Sequence, residues 1–361
     1  MPARVSRVTA RRVALPLPAP FVISLGVLER VDNVFVRLET DDGLVGYGEA
    51  APTPFVTGET PAGTLAAVEA LAPLIEGLSP FAIGQAHRLM DRVLAGNGSA
   101  KAAIDIAMHD VAAQAAGVPL YEYLGGPAGG ADPAGAVETD MTIGLGEPEA
   151  MAAAAAELVR RGYRQLKVKA GSCEAQDRAA IELIRAAAPR ASLKVDANQG
   201  WTPPRALAML EGYARLGVEA VEQPVPAWDL DGLAYVRSRS PIPIMADESC
   251  FTQHDAAGIV ARQAADIINI KLMKCGGLWR ARQINAIAQG AGVRTMLGCM
   301  LETELAIAAA AHLAAASANI AYADLDSFAD FDTSPVIARP FGFEPPVIQL
   351  GGPGLGLEVA W

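Results

Sequence analysis

Six side chains in the middle of this chain are of types that do acid–base and metal chemistry: Lys167, Lys169, Asp196, Glu222, Asp247 and Lys271. The three carboxylates fall one per segment at nearly even spacing. Three like charges aimed into one cleft repel and raise one another's pKa unless a cation neutralises them. Oxygen ligands without accompanying His or Cys favour Mg²⁺, with Mn²⁺ as a substitute, over zinc. A single Asp at the end of a strand is often the cap of the next helix. Three acids in register, flanked by lysines, point instead to a metal site formed by Asp196, Glu222 and Asp247. Asn198, Gln223 and Glu248 follow these acids by one or two residues and suit the task of orienting them.

The lysines carry more information. Lys169 precedes the acidic segments and Lys271 follows them, so the two flank the metal from opposite sides. A cation beside another cation has its pKa lowered, which predicts a neutral amine able to act as a general base and to return the proton as its conjugate acid. A carboxylate substrate chelating the metal has its α-proton acidified, because the enediolate charge falls on metal-bound oxygens. With one base on each face of that planar species, a proton leaves one side and returns on the other. That is racemisation or epimerisation.

The elements that must position these residues follow a simple plan. Val34–Thr40 alternates, stops at Asp41-Asp42-Gly43 and resumes at Leu44, which predicts a β-hairpin. Helical segments follow at Thr64–Leu74 and Ala100–Ala116, the second stopped by Gly117 with Pro119 beyond. After Gly125-Gly126 the pattern changes to eight β-like runs: Val137–Ile143, Gln165–Lys169, Leu193–Asp196, Ala220–Glu222, Ile242–Asp247, Ile267–Lys271, Arg294–Leu297 and Ile320–Asp324. Their last residues lie 24 to 27 apart, with helical stretches between them. Eight βα-type repeats close a barrel whose active site lies at the C-terminal ends of its strands. A doubly wound sheet would carry a Gly-rich first turn, but Gly144-Leu-Gly146 runs into Glu-Pro-Glu.

Composition narrows the partners. The chain has 361 residues, 52% hydrophobic and 19% charged, with a net charge of −11. This acidity excludes nucleic acid and anionic membranes as expected partners. Four scattered cysteines without a C-x-x-C pair read as reduced thiols, so a cytoplasmic location is expected. Pro16, Pro18 and Pro20 break up the apolar segment a signal peptide would need. The apolar stretches near Ala152 and Ala306 are too short for a membrane span.

Lys167-x-Lys169, Asp196, Glu222-Gln-Pro, Asp247-Glu-Ser and Lys271-x-x-Lys-Cys-Gly-Gly together resemble the enolase superfamily, in its muconate-lactonizing-enzyme subgroup. Ala102–Asp110 resembles a helix of the same subgroup, so the likeness spans nearly the whole chain. It implies an α/β fold: a modified TIM barrel, (β/α)₇β, over residues 126–325. An N-terminal α+β capping domain, 1–125, is completed by the returning segment 326–361. It further implies Lys169 and Lys271 as the acid/base pair, Lys167 supporting the enolate, and one Mg²⁺ per subunit of an expected homo-oligomer.

The subgroup hosts several reactions, so discrimination falls to the last strands and the capping loops. Asp324-Leu-Asp326 places two carboxylates two residues apart on an extended segment, on one side, where they suit an α-ammonium group. This resembles the subgroup's dipeptide epimerases, in which an Asp-x-Asp holds the amino terminus and the α-carbon of the C-terminal residue is inverted. A cycloisomerase, an o-succinylbenzoate synthase or an N-acylamino-acid racemase has no such cation to hold. A cation-dependent structural protein has no use for both lysines. The second pair, Asp330 and Asp332, shows how cheap the pattern is in this acidic stretch. In Ala-Glu epimerases of the subgroup an Arg from the first loop holds the glutamate; here Ser24-Leu-Gly26 fills that stretch, with Gly26 where the Arg would be. Ser24, Gly26, Cys299 and Met300 are the expected substrate-binding residues besides the paired Asp. Phe21, Ile23 and Phe55 would make an apolar pocket, whereas Glu29 or Glu59 would favour a cationic side chain.

Overall fold

The computed structural model describes residues 3–23, 26–127, 135–171 and 173–361. The N-terminal part opens with three antiparallel strands, β1 (Val5–Ile23), β2 (Gly26–Thr40) and β3 (Val45–Ala50). The β2–β3 hairpin turns at Asp41-Asp42-Gly43, as expected, with Gly43 at φ +93. Helices α1 (Pro61–Ile75) and α3 (Gly98–Ala116) cover the sheet, and α2 (Ile83–Val93) packs against both. The approach of α3 to β3 is close enough to require glycine: a Cβ at Gly48 would stand 1.9 Å from Ala103 O. Small residues on the facing side of α3 make that contact possible, and Gly117, in the left-handed region, ends the helix.

Beyond α4 (Leu120–Tyr123) and β4 (Ala136–Glu138) comes the barrel. Its strands are β5 (Met141–Ile143), β6 (Gln165–Lys169), β7 (Ser192–Asp196), β8 (Val218–Glu222), β9 (Ile244–Ala246), β10 (Ile267–Lys271), β11 (Arg294–Gly298) and β12 (Ile320–Asp324). They form one parallel sheet in sequence order. Its first and last strands are drawn together where Asp140 N donates to Ala323 O at 3.0 Å. Long helices, from α5 (Pro148–Arg160) through α6 (Glu174–Ala187), α7 (Pro203–Arg215), α8 (Leu230–Arg237), α9 (Gln253–Arg262), the short α10 (Leu272–Cys275), α11 (Leu278–Gly290) and α12 (Glu304–Ala315), lie between successive strands. This is the α/β barrel with an N-terminal cap that the repeat spacing and the resemblance implied.

Two expectations need correction. The run Val137–Ile143 is not one strand. It breaks at Thr139-Asp140, because β4 leaves the barrel to pair with β15 (Val347–Gln349), itself paired with β14 (Gly342–Glu344). The Thr139 hydroxyl accepts from Leu325 N, while the Asp140 carboxylate turns inward. The strand expected over Ile242–Asp247 is only Ile244–Ala246, since Pro241 and Pro243 have no N–H to give to a ladder.

The segment after β12 runs through β13 (Ile337–Arg339), β14, β15 and β16 (Glu358–Val359). It meets the N-terminal part at several points: Leu120 N donates to Gly354 O, Leu355 N to Asp110 Oδ1, and Arg11 to Ala360 O.

Inside the barrel, below the strand ends, Lys194 Nζ lies 2.7 Å from Asp140 Oδ2, both buried. Removing one partner of such a pair leaves an uncompensated buried charge. Lys194→Met is therefore expected to destabilise the fold by about 3–5 kcal/mol in chemical denaturation, and Asp140→Asn in the same chain to recover most of that loss.

Candidate active site at the barrel mouth

The ladder register lines up the strand ends. Lys169 is level with Asp196 and Asp196 with Glu222, while Lys271 is level with Gly298 and Gly298 with Asp324. Because alternate residues of a strand face the same way, Lys167 and Lys169 on β6 both point inward. Strands β6 and β10 are four positions apart in an eight-stranded barrel, so Lys169 and Lys271 face each other across the mouth.

Asp196, Glu222 and Asp247 are buried and each offers an oxygen within 4.8 Å of the others. They meet lysines all round. Lys169 Nζ lies 2.7 Å from Asp196 Oδ2, Lys167 Nζ 2.9 Å from Glu222 and 3.2 Å from Asp196, and Lys271 Nζ 2.9 Å from Asp247. The three residues one or two places along from the acids form a supporting layer. Asn198 accepts from Lys169 Nζ and donates to Glu248, and Gln223 Oε1 accepts from Asp247 N and Ser249 N. Asn198 and Gln223 both have positive φ, at 39° and 36°, a conformation that costs energy and is held here by those bonds.

Burial raises the carboxyls and the lysines oppose it, with different outcomes. Glu222 is pushed up to about 7 by burial and by Asp196, and Glu248 to about 7 by burial and by Asp247. Asp247, despite its burial, is held well below the usual range by Lys271 and Lys274. Burial alone would lower Lys271, but Asp247 beside it raises it above its ordinary value, and Lys167 is likewise raised by Asp324 and Glu222. The expectation of a lowered Lys271 does not hold among the protein's own charges. It counted a metal's charge and a second lysine, and not the five acids that face them. An all-oxygen, threefold acidic cluster buried away from water fits a hard divalent cation, which would replace the lysines as counter-charge.

Two residues of this core had no role in the sequence reading, where Asn269 was passed over and Lys274 entered only within the Lys271-x-x-Lys motif. Asn269 Nδ2 donates to Glu222 Oε1 at 2.8 Å, and Lys274 Nζ donates to Asp247 O and Oδ1, both at 2.5 Å. Asn269 stands two residues before Lys271 on β10, so strand periodicity alone would have found it.

Asp324 and Asp326 line the same cavity as Lys167, Lys169 and Lys271. Asp324 Oδ2 is 2.7 Å from Lys167 Nζ. Asp326 accepts from Thr142 N at 2.6 Å and lies 3.7 Å from Cys299 Sγ, and it forms no ion pair among the described residues. Cys299 and Met300 line the cavity, whose cap-side wall is apolar: Phe21, Ile23, Leu28, Phe55 and Val56. Gly26 lies against that wall, where a Cβ would stand 3.0 Å from the Phe55 ring. Ser24 lies outside the described residues. Glu59 is occupied by Ser99, and Glu29 is exposed away from the cavity walls. Asp330 reaches the cavity rim, whereas Asp332 caps Ser334 N instead.

Residues 6–125 match the family model described as mandelate racemase / muconate lactonizing enzyme, N-terminal domain, and residues 150–361 that described as enolase C-terminal domain-like. The chain is 45% identical over 358 residues to a hydrophobic dipeptide epimerase of Enterococcus faecalis, covering 98% of this chain and 99% of that one. It is 40% identical over 360 residues to an L-Ala-D/L-Glu epimerase of Bacillus subtilis, covering 98% and 96%. A crystal structure of the Enterococcus faecalis dipeptide epimerase with Mg and the dipeptide L-Leu-L-Tyr superposes with a TM-score of 0.95 at 44% identity, covering 98% and 99%.

A ligand that binds only the folded state at about a hundred times its dissociation constant stabilises it by about 2.7 kcal/mol. Saturating Mg²⁺ or Mn²⁺ is expected to raise the melting temperature accordingly, EDTA to reverse the rise, and Glu222→Gln to abolish it in the same thermal scan.

Proposed function

The chain belongs to the enolase superfamily, in its mandelate racemase / muconate lactonizing enzyme branch, and on that premise we propose that it is a dipeptide epimerase acting on dipeptides with an apolar C-terminal residue. The observation that carries this reading is Asp326. It is a buried carboxylate on the wall of the lysine-bearing cavity, with no cation paired to it among the described residues. A substrate α-ammonium group supplies the missing charge, and Asp324 beside it, though paired with Lys167, adds to the attraction. A blocked amine would leave Asp326 buried and unpaired, which is costly. Relatives named for hydrophobic dipeptides, and the Phe21, Ile23, Leu28, Phe55 wall, support the apolar side chain.

In this reading Asp196, Glu222 and Asp247 would hold one Mg²⁺, or Mn²⁺ in its place, and such a cation would supply the positive charge that acidifies a C–H next to a carboxylate. The chain's own groups do the rest. Lys169 Nζ and Lys271 Nζ stand on opposite sides of the mouth, so one removes the α-hydrogen of the C-terminal residue and the other delivers a proton to the opposite face. Lys167 Nζ, among Asp196, Glu222 and Asp324, keeps a positive charge beside the enediolate. The cap wall excludes water from the α-carbon while it is planar.

Incubation with L,L-dipeptides such as Leu-Tyr in heavy water with Mg²⁺ is expected to place one deuterium at the C-terminal α-carbon, detected by mass spectrometry. Replacing either base should split the two half-reactions. Lys169→Ala and Lys271→Ala each abolish epimerisation, yet each retains exchange with only one of the two epimers. Exchange confined to N-acylated amino acids would sink the proposal.

Burial and the neighbouring Asp324 push Asp326 up to about 6. Asp140, Cys299, Asp330, Lys167 and the Tyr163 hydroxyl also act on it or face it. As pH falls through that value Asp326 takes up a proton and loses its hold on an ammonium group. The KM for dipeptides is therefore expected to rise below about pH 6, and Asp326→Asn to show a high KM without that acidic limb.

A further inference from the structure

Two buried polar residues of the cap stand outside the cavity lining, and among the described residues their side-chain bonds go to one another, to the loop after β11 or to the start of α12. Asn33 lies on β2 and Glu49 on β3, at 3% and 0% exposure. Glu49 Oε2 accepts from Thr303 Oγ1 at 2.7 Å and from Ala306 N at 3.1 Å; its Oε1 accepts from Thr303 N at 3.0 Å. The Asn33 amide donates to Glu49 Oε1 at 2.7 Å and to Leu301 O at 2.8 Å. A cap carboxylate thus closes the N-terminus of α12, a barrel helix, where the helix dipole and the free N–H groups favour a negative charge.

The loop so held is the one that lines the cavity. Cys299, Met300 and Leu301 run between β11, fixed by its ladder, and Thr303, fixed by Glu49. On the barrel side the loop has its own tie, since Ser327 Oγ accepts from Glu302 N at 3.1 Å. The opposing cavity wall grows from the same two cap strands: Leu28 lies on β2 before Asn33, and Thr53 and Phe55 follow β3 after Glu49.

We infer that Asn33 and Glu49 are positioning residues for specificity: they lock the barrel loop 299–302 to the cap strands, so that the two walls of the side-chain pocket keep one fixed separation. The inference rests on the dipeptide reading for its kinetic consequence, but not for its structural one. Neither residue contacts Lys169 or Lys271, so proton transfer itself does not depend on them. A role confined to fold stability would lower the melting temperature and leave the ranking of substrates unchanged.

Asn33→Ala and Glu49→Gln test this in the full chain. Loss of a buried, charge-assisted hydrogen bond is expected to raise KM about tenfold for dipeptides with a large apolar C-terminal residue, with kcat within about threefold and the preference for large over small side chains reduced. In hydrogen–deuterium exchange mass spectrometry, amides of residues 299–306 should exchange faster in both variants, while those of 294–298 keep their protection. If Glu49→Gln does not fold, Asn33→Ala alone decides, since it leaves the carboxylate and the helix cap in place. Unchanged KM ranking together with unchanged loop exchange overturns the inference, as does a loss in kcat at constant KM. A wild-type protein inert toward every dipeptide would sink the proposed function instead, and the loop exchange would then decide the positioning role by itself.

Discussion

Everything at the barrel mouth is arranged around the cost of keeping acids together away from water. Asp196, Glu222, Asp247, Glu248, Asp324 and Asp326 are all buried, and four lysines are buried with them. Such a group is costly unless most of its charges meet opposite ones at close range. Lys167 shows how tightly this is met, with three carboxylates within 3.2 Å. The same arrangement makes the site responsive. A cation entering among Asp196, Glu222 and Asp247 would displace a lysine from a carboxylate, so binding there and the state of the lysines are linked.

The fold serves this cluster by fixing where strands end. A parallel barrel delivers one or two inward side chains per strand to a common rim, and its even repeat keeps them level. Additional polar groups hold the rim in shape: Gln223 ties the Asp247 backbone, Lys274 its side chain, and Asn269 the carboxylate of Glu222. The cap supplies one wall of the cavity above the rim. Its apolar wall and the acids opposite divide the cavity into a dry side and a charged side, a division that suits a substrate with an ammonium group at one end and an apolar side chain at the other.

Much of this was legible in the sequence because the barrel repeats. The periodic strand ends located Lys169, Asp196, Glu222 and Lys271 to the residue, and the resemblance drew the cap and barrel into one scheme. What escaped depends on contacts between distant segments. The break between β4 and β5 is caused by β15, some 200 residues later, and no local pattern announces it. Lys271 is raised by Asp247, an acid that lies beyond a neighbouring strand's end and far from it in sequence. Glu49 sits in an ordinary Gly-Tyr-Gly-Glu hairpin strand, and its partner Thr303 is 254 residues away. Asn269 is the exception, since it shares a strand face with Lys271 and required only that the periodicity be followed two residues back.

The returning C-terminal segment also sets an order of events in the life of the molecule. Leu355 bonds Asp110, Gly354 bonds Val118 and Leu120, and Ala360 accepts from Arg11, so the cap's edge is finished by residues synthesised after the whole barrel. Contacts this distant along the chain form late and slowly. During synthesis, the three-stranded sheet and its helices must therefore wait, partly uncovered, for the whole barrel to emerge. A chain cut short after Asp330 would keep every lysine and every carboxylate at the barrel mouth, and would still lack the segment that ties the cap to it.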